Sequence, residues 1–446
     1  MPGLNILYIH SHDTGRYIQP FGRSIPTPNL QHLAETGVLF RQAFSAAPVC
    51  SASRAALLTG QSPHAAGMIG LAHRGFQLND YRQHLVQFLG AAGYHTALAG
   101  TQHEAPAPGD LIGYHQILPV ASGRAGDIAS AAVTFLTQSP QQPFFLSVGF
   151  SDTHREFPER DPRDDPRYLL PPAPLPDLPE VREDMAGFLA SARALDDGVG
   201  QVLAALESAG LAENTLVIAT TDHGIAFPGM KCTLTDHGLG VYLIMRGAEA
   251  FQGGRVIDAM VSHLDLYPTL CDLLGLPIPA WVRHAQAPGG GQGRSLLPLV
   301  RGEVQALHEA LFGEVTYHAA YEPMRSVRTA HWKYIRRFDA PLGGFARRVL
   351  PNTDDSPSKT ALLAHGWGEH PLAAEYLFDL SLDPNETNNL AGQAEHAADL
   401  VEMRLRLKAW MEATADPLLN GPVPAPPGAL VNNPSGLSPK EEPHAL

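Results

Sequence analysis

Cysteine is almost missing from this chain, with three in 446 residues, at positions 50, 232 and 271. So few thiols exclude a disulfide framework and leave an apolar core to hold the fold. Positive charge is also short: 31 lysines and arginines face 45 aspartates and glutamates, a formal net charge of -14. That balance excludes nucleic acid and anionic membrane as partners, because both need a basic surface. An anionic substrate therefore requires a local cationic pocket. No apolar run approaches the length that crosses a bilayer, and the opening Met1-Pro2-Gly3-Leu4-Asn5 lacks the basic n-region of an export signal. The expected location is the cytoplasm. What is present suits an enzyme, with 44% hydrophobic and 17% charged residues in a chain long enough for a large core and a smaller lobe.

One stretch organises the rest: Cys50-Ser51-Ala52-Ser53-Arg54-Ala55-Ala56-Leu57-Leu58-Thr59-Gly60. Pro48-Val49 imposes an extended approach, Ser51 and Ser53 offer N-cap oxygens, and a helix is expected from Ala55 to Leu58. Cys50 then opens that helix, where backbone N–H groups and the dipole favour an anion or a nucleophile. Arg54, one turn on, faces the same spot. Alone, such a cysteine is equally well a buried structural thiol. The stretch resembles the sulfatase signature, C-x-[PA]-S-R followed by a short helix and Thr-Gly, with Ala52 at the proline position. The resemblance implies that Cys50 is oxidised by a formylglycine-generating maturation enzyme to formylglycine (3-oxoalanine).

The strands end in the groups such a site needs. Leu4 to Ile9 reads as a buried strand running into His10-Ser11-His12-Asp13, and ligands in open α/β sheets gather past such carboxyl ends. By resemblance, Asp13 keeps one of two metal-binding aspartates and His12 replaces the other. Pro28 starts a helix running through Ala34. Gln61 to Phe76 is a glycine-rich loop expected to line the site mouth with His64, His73 and Arg74, the last two as substrate contacts. His95 to Ala99 is a strand ending in Gly100-Thr101-Gln102-His103. The family's lysine and histidine here contact sulfate; His103 is kept, and Thr101 stands for the lysine. Phe144 to Phe150 is a strand running into Asp152-Thr153-His154-Arg155, and His154 is placed as a general acid for the leaving atom.

Glu156 to Pro179 reads as a surface loop over the pocket, and Val181 to Leu206 as a helix of core packing only. Thr215 to Thr220 is the next buried strand, and by resemblance Asp222 and His223 after it form the second metal half-site. Gly224 allows a tight turn there, and Lys231 matches a sulfate-binding lysine. Asp236 and His237 read as structural. Gln286 to Gly293 is a glycine-rich surface loop. Met324 to Ile335 alternates like sheet strands, and Glu375 to Leu380 resembles the family's last strand. Ala397 to Thr414 closes as an amphipathic helix, and Pro417 to Leu446 either wraps the surface or is disordered.

The resemblance spans residues 4 to about 414. It implies an α/β fold, an alkaline-phosphatase-like three-layer α/β/α sandwich with a mainly parallel central sheet, plus a smaller C-terminal α+β subdomain. Residues 1–310 form the catalytic domain in this reading, 311–415 the subdomain and 416–446 the tail. The implied chemistry puts one divalent metal on His12, Asp13, Cys50, Asp222 and His223. The family default is Ca2+, while imidazole ligands favour Mn2+ or a similar ion. Residue 50 attacks sulfur, Arg54 and Lys231 neutralise charge, and His103 or His154 protonates the departing oxygen or nitrogen. The substrate is a small or saccharide sulfate ester or sulfamate, with glucosamine N- or O-sulfates suggested. Two alternatives stay open: a phosphonate or phosphodiester hydrolase of the same superfamily, and an inactive binding relative. Oligomeric state is not legible.

Overall fold

The computed structural model describes residues 3–107, 109–284 and 293–445. The glycine-rich loop at 286–293 lies outside them except for its final residue. Up to Leu274 the chain alternates strands and helices in βαβ fashion. β1 (Asn5–Ser11), α1 (Pro28–Thr36), β2 (Val38–Phe44) and α2 (Cys50–Thr59) come first, then the short α3 (Pro63–Ala66) and α4 (Leu85–Ala91). β3 (His95–Gly100), β4 (Gln116–Leu118), α5 (Ala125–Thr137), β5 (Phe144–Gly149), α6 (Pro179–Ser208) and β6 (Thr215–Thr221) follow. α7 (Asp236–Leu239), β7 (Gly240–Val241), β8 (Leu243–Arg246), β9 (Arg255–Ser262) and α8 (Leu266–Leu274) complete this part.

The nine strands make one sheet in the order β4-β3-β5-β1-β6-β8-β2-β7, with β9 also paired to β2. From β4 to β6 every neighbour is parallel; β8 runs against both β6 and β2. Period-two alternation explains how strands buried along their whole length serve two layers. In β1, Ile6 and Tyr8 join one apolar cluster with Leu57, Leu89 and Leu270 of α2, α4 and α8. Leu7 and Ile9 join another with Leu30, Ile128 and Val199 of α1, α5 and α6. The expected three-layer sandwich is therefore the observed one.

From Leu311 a four-stranded antiparallel sheet forms from β10 (Leu311–Tyr317), β11 (Tyr321–Arg328), β12 (Trp332–Arg337) and the strand Glu375–Asp379. The closing helix Ala397–Ala413 lays Leu400, Met403, Leu407 and Trp410 on Val327, Tyr334 and Leu377. The segment after it is ordered against the surface: Arg74 donates to Asn432 Oδ1 and the Pro439 carbonyl, and Tyr317 donates to the Val423 carbonyl. Among the described residues no helix is long and apolar enough to cross a membrane.

Candidate active site

Parallel strands β1, β3, β5 and β6 all end on one edge of the sheet, so their following turns converge. β1 and β6 pair up to Ser11–Thr221, which sets His12-Asp13 beside Asp222-His223. The Asp13 N–H donates to Asp222 Oδ1 at 2.8 Å, and Asp13 takes a positive φ of 57° to make that turn. Gly224 is required next, for a Cβ there would lie 1.9 Å from the His237 carbonyl.

Cys50 enters from α2. Val49 is extended (φ -134°, ψ 127°) and caps the helix without a side-chain bond, so the expected serine caps are not made. The two hydroxyls serve tertiary contacts instead: Ser51 Oγ accepts from the Ala72 N–H at 3.0 Å, and Ser53 Oγ donates to the Asp222 carbonyl at 2.6 Å. Ser53 thus ties the cysteine helix to the second half-site. Cys50 Sγ sits 3.2 Å from His223 Nε2 and 4.0 Å from Asp13 Oδ1. Burial pushes the thiol pKa well above its ordinary value against the pull of Lys231, so unmodified Cys50 is no thiolate nucleophile.

Arg54 does not aim at open space beside the sulfur. Its guanidinium donates to the Ser11 carbonyl and to Asp222 Oδ2, both at 3.0 Å, and meets His10 Nδ1. Burial would raise the Asp222 pKa, but His223 and Arg54 outweigh it and hold the carboxyl well below the usual range. Arg54 is thus the counter-charge of a buried carboxylate.

The lone pairs gathered here fit a cation. His223 Nδ1 donates to the Gly224 carbonyl at 3.0 Å, which turns Nε2 inward, 3.2 Å from Cys50 Sγ and 3.3 Å from Asp13 Oδ1. His12 Nε2 is buried without a hydrogen bond, 3.2 Å from Asp222 Oδ2. Burial, with His103 and Arg54 adding to it, lowers the His12 pKa well below the ordinary value, so this ring is neutral. Donor atoms of His12, Asp13, Cys50 and Asp222 all lie within 4.8 Å of one another. Acceptors facing acceptors at such distances are stable around a positive ion, which is the arrangement a divalent metal takes.

Around this centre a cleft of about 1030 Å3 is lined by His12, Thr101, His103, Arg124, Asp152 and His154, among others. The His12 ring meets His103 edge-on at 4.6 Å and lies 4.7 Å from His154. Burial, with Arg54 next, takes the His103 pKa to about 3, so it offers a hydrogen bond and no proton. His154, its side chain 35% exposed and its Nε2 3.8 Å from Asp13 Oδ2, lines the cleft, with Nδ1 held by the Arg155 carbonyl. Thr101 Oγ1 bonds Ser151 Oγ at 2.8 Å and lines the cleft without adding charge. Lys231 Nζ donates to Asp13 Oδ2 at 2.8 Å and lies 3.1 Å from Asp354 Oδ2.

Three expectations are corrected. Arg74 turns away, its guanidinium taken by the carboxyl-terminal segment, while exposed His73 stays at the mouth with its ring 6.2 Å from His103. His64 is buried against Glu314 in β10 rather than at the mouth. α6 is more than core packing. Its Asp184 holds both arms of Arg155 at 2.7 Å, and its Ser191 donates to Asp152 Oδ1 at 2.8 Å. Residues 152–155 are therefore pinned by helix residues 29 and 39 positions further along the chain. Sequence reading missed Asp354 and the buried His318 near it. Neither follows a strand of the large sheet, and no local pattern marks them.

The sulfatase family model matches residues 4–276, which hold Cys50, His12-Asp13 and Asp222-His223. N-sulphoglucosamine sulphohydrolase of Homo sapiens is 32% identical over 484 residues, spanning 98% of this chain and 94% of its own. The chain belongs to the sulfatase family. This sulfatase is a sulfuric ester or sulfamate hydrolase, of a family that generally works with formylglycine and a metal. Its fold recurs in BT1596, a 2-O GAG sulfatase, with TM-score 0.69, 22% identity and 95% of each chain covered. It recurs also in BT4656, solved with its substrate D-glucosamine-2-N,6-O-disulfate, with TM-score 0.70, 18% identity and coverage of 94% and 99%.

Proposed function

We propose that this sulfatase cleaves the sulfamate of an N-sulfated glucosamine at the end of a saccharide, with residue 50 as formylglycine and one Mn2+-like divalent ion. The observation that carries the reading is the near full-length likeness to N-sulphoglucosamine sulphohydrolase, joined to a site whose centre is Cys50. In this reading His12, Asp13, Asp222 and His223 hold the ion with residue 50. Two imidazoles beside two carboxylates favour a borderline ion over Ca2+. When bound, the ion supplies the positive charge that makes a hydroxyl of residue 50 acidic and stabilises the sulfuryl oxygens.

The chain's own groups do the rest. Lys231 and His103 bind the sulfuryl oxygens, and Arg54 keeps Asp222 ionised. His154 hands a proton to the departing nitrogen or oxygen. Thr101 brings no cation, so sulfate binding leans on Lys231 and the ion. The cleft has room for more than one sugar unit. Arg124, exposed on its wall, faces the saccharide beyond the scissile group.

Two measurements test this. Mass spectrometry of the peptide holding Cys50, after co-expression with a formylglycine-generating enzyme, should show conversion of the thiol to the aldehyde or its hydrate. Thiol alone would support the inactive relative. A panel of N-sulfoglucosamine, glucosamine 6-sulfate, an aryl sulfate and a phosphodiester should give the highest kcat/KM on N-sulfoglucosamine. The imidazole-rich ligand set also suits phosphonate and phosphodiester hydrolysis, and a phosphodiester at the top of the panel would replace our reading with that one.

A further inference from the structure

We infer that Asp354 is the positioning residue for Lys231, and that the carboxyl-terminal segment clamps the loop carrying Asp354. The inference rests on the reading in which Asp13 is committed to a divalent ion. Lys231 Nζ lies between two carboxylates, 2.8 Å from Asp13 Oδ2 and 3.1 Å from Asp354 Oδ2, with the lysine side chain 4% exposed. An ammonium has three N–H donors. Asp13 takes one, Asp354 pairs with the ammonium by charge at 3.1 Å, and a donor remains for an anion.

Once Asp13 serves an ion, Lys231 and that ion share one carboxylate at close range in a buried site. Like charges so placed repel each other strongly where little water screens them. Asp354 lies on the other side of the ammonium and is the group that keeps it in place. His318 adds no further charge, because burial and then Lys231 drive its pKa well below the ordinary value.

The loop under Asp354 is held from two directions. Asn352 accepts from the Ala320 N–H at 2.8 Å and donates to Glu322 at 2.9 Å, which fixes it to β11. Lys359, buried, reaches the Thr353 carbonyl at 2.8 Å, Asp355 Oδ1 at 2.9 Å and the Leu437 carbonyl at 2.7 Å. Ser438 Oγ donates to Asp355 Oδ2 from the same carboxyl-terminal stretch. The carboxyl-terminal stretch thus holds the loop that carries Asp354, and Asp354 in turn meets Lys231.

The test compares full-length Asp354→Ala, Asp354→Glu and Lys359→Met with the unaltered protein. The readouts are turnover of an aryl sulfate, inorganic sulfate affinity by calorimetry, and Tm. Asp354→Ala should weaken sulfate affinity and raise KM by about tenfold to a hundredfold, with kcat changed less. Asp354→Glu should recover most of the loss, and Lys359→Met should show the same pattern more weakly. Sulfate affinity and KM unchanged in Asp354→Ala would overturn the inference. So would a loss confined to kcat and Tm that Asp354→Glu does not relieve. Sulfate affinity reads Asp354 even in a preparation that turns over no sulfate ester, a result that would count against the proposed function instead.

Discussion

At the scale of single residues, the site is an exercise in keeping buried charges compensated. Asp222 is buried and ionised because Arg54 donates to it at 3.0 Å. Arg54→Met should cost about 3–5 kcal/mol of stability, since an unpaired buried carboxylate remains. Arg54→Lys, which keeps the charge but not the fork to Ser11, should lose less. Urea unfolding of both variants checks the order. The inward-facing ring nitrogens of His12 and His223 lead to a second expectation. Stripping metal with a chelator should lower Tm, and Mn2+ should restore it at lower concentration than Ca2+. Recovery with Ca2+ alone would contradict the Mn2+ assignment. Cys50, Asp13, Asp222 and His223 were legible in the sequence because each follows a strand or opens a helix. Asp354 was not, because its role comes from a loop that meets Lys231 only through tertiary packing.

At the scale of elements, caps and turns carry stability that can be read against pH. His84 is fully buried and caps α4, its Nδ1 accepting the Val86 N–H at 3.2 Å. Burial lowers its pKa from 6.5 to about 3, because protonation would desolvate a charge and remove that acceptor. The unfolded chain takes up the proton first as pH falls, so the stability due to His84 is full above pH 6.5 and is lost toward pH 3. The slope from this one group is about 1.4 kcal/mol per pH unit. His84→Asn keeps a cap acceptor without a titrating ring, and should flatten the fall in urea midpoint between pH 6 and 4. The helices and strands themselves were largely legible: β1, β3, β5, β6 and α6 stand within a few residues of their expected limits. What periodicity could not give was the polar work of α6. Asp184 and Ser191 lie among the buried residues of α6, and only the fold reveals that they hold residues 152–155.

At the scale of the whole molecule, the two sheets are joined by buried charge as well as apolar contact. Glu314 of β10 accepts from the His64 N–H at 2.7 Å and pairs with its ring, while Arg325 of β11 bonds Asp416 at 2.6 Å beside them. Glu314→Ala leaves His64 short of its acceptor and removes the carboxylate 3.9 Å from Arg325, and should destabilise the protein by about 3–5 kcal/mol. Fluorescence and circular dichroism in urea should then separate into two transitions if the charge network is what couples the parts. The architecture was legible from the alternation of apolar runs, whereas this junction joins residues hundreds of positions apart and leaves no local signature. One last consequence follows from α2, whose ten residues from Cys50 to Thr59 are all buried. Another protein reaches that sulfur most readily before the helix docks, so enzymatic oxidation of Cys50 would be favoured in a chain not yet folded.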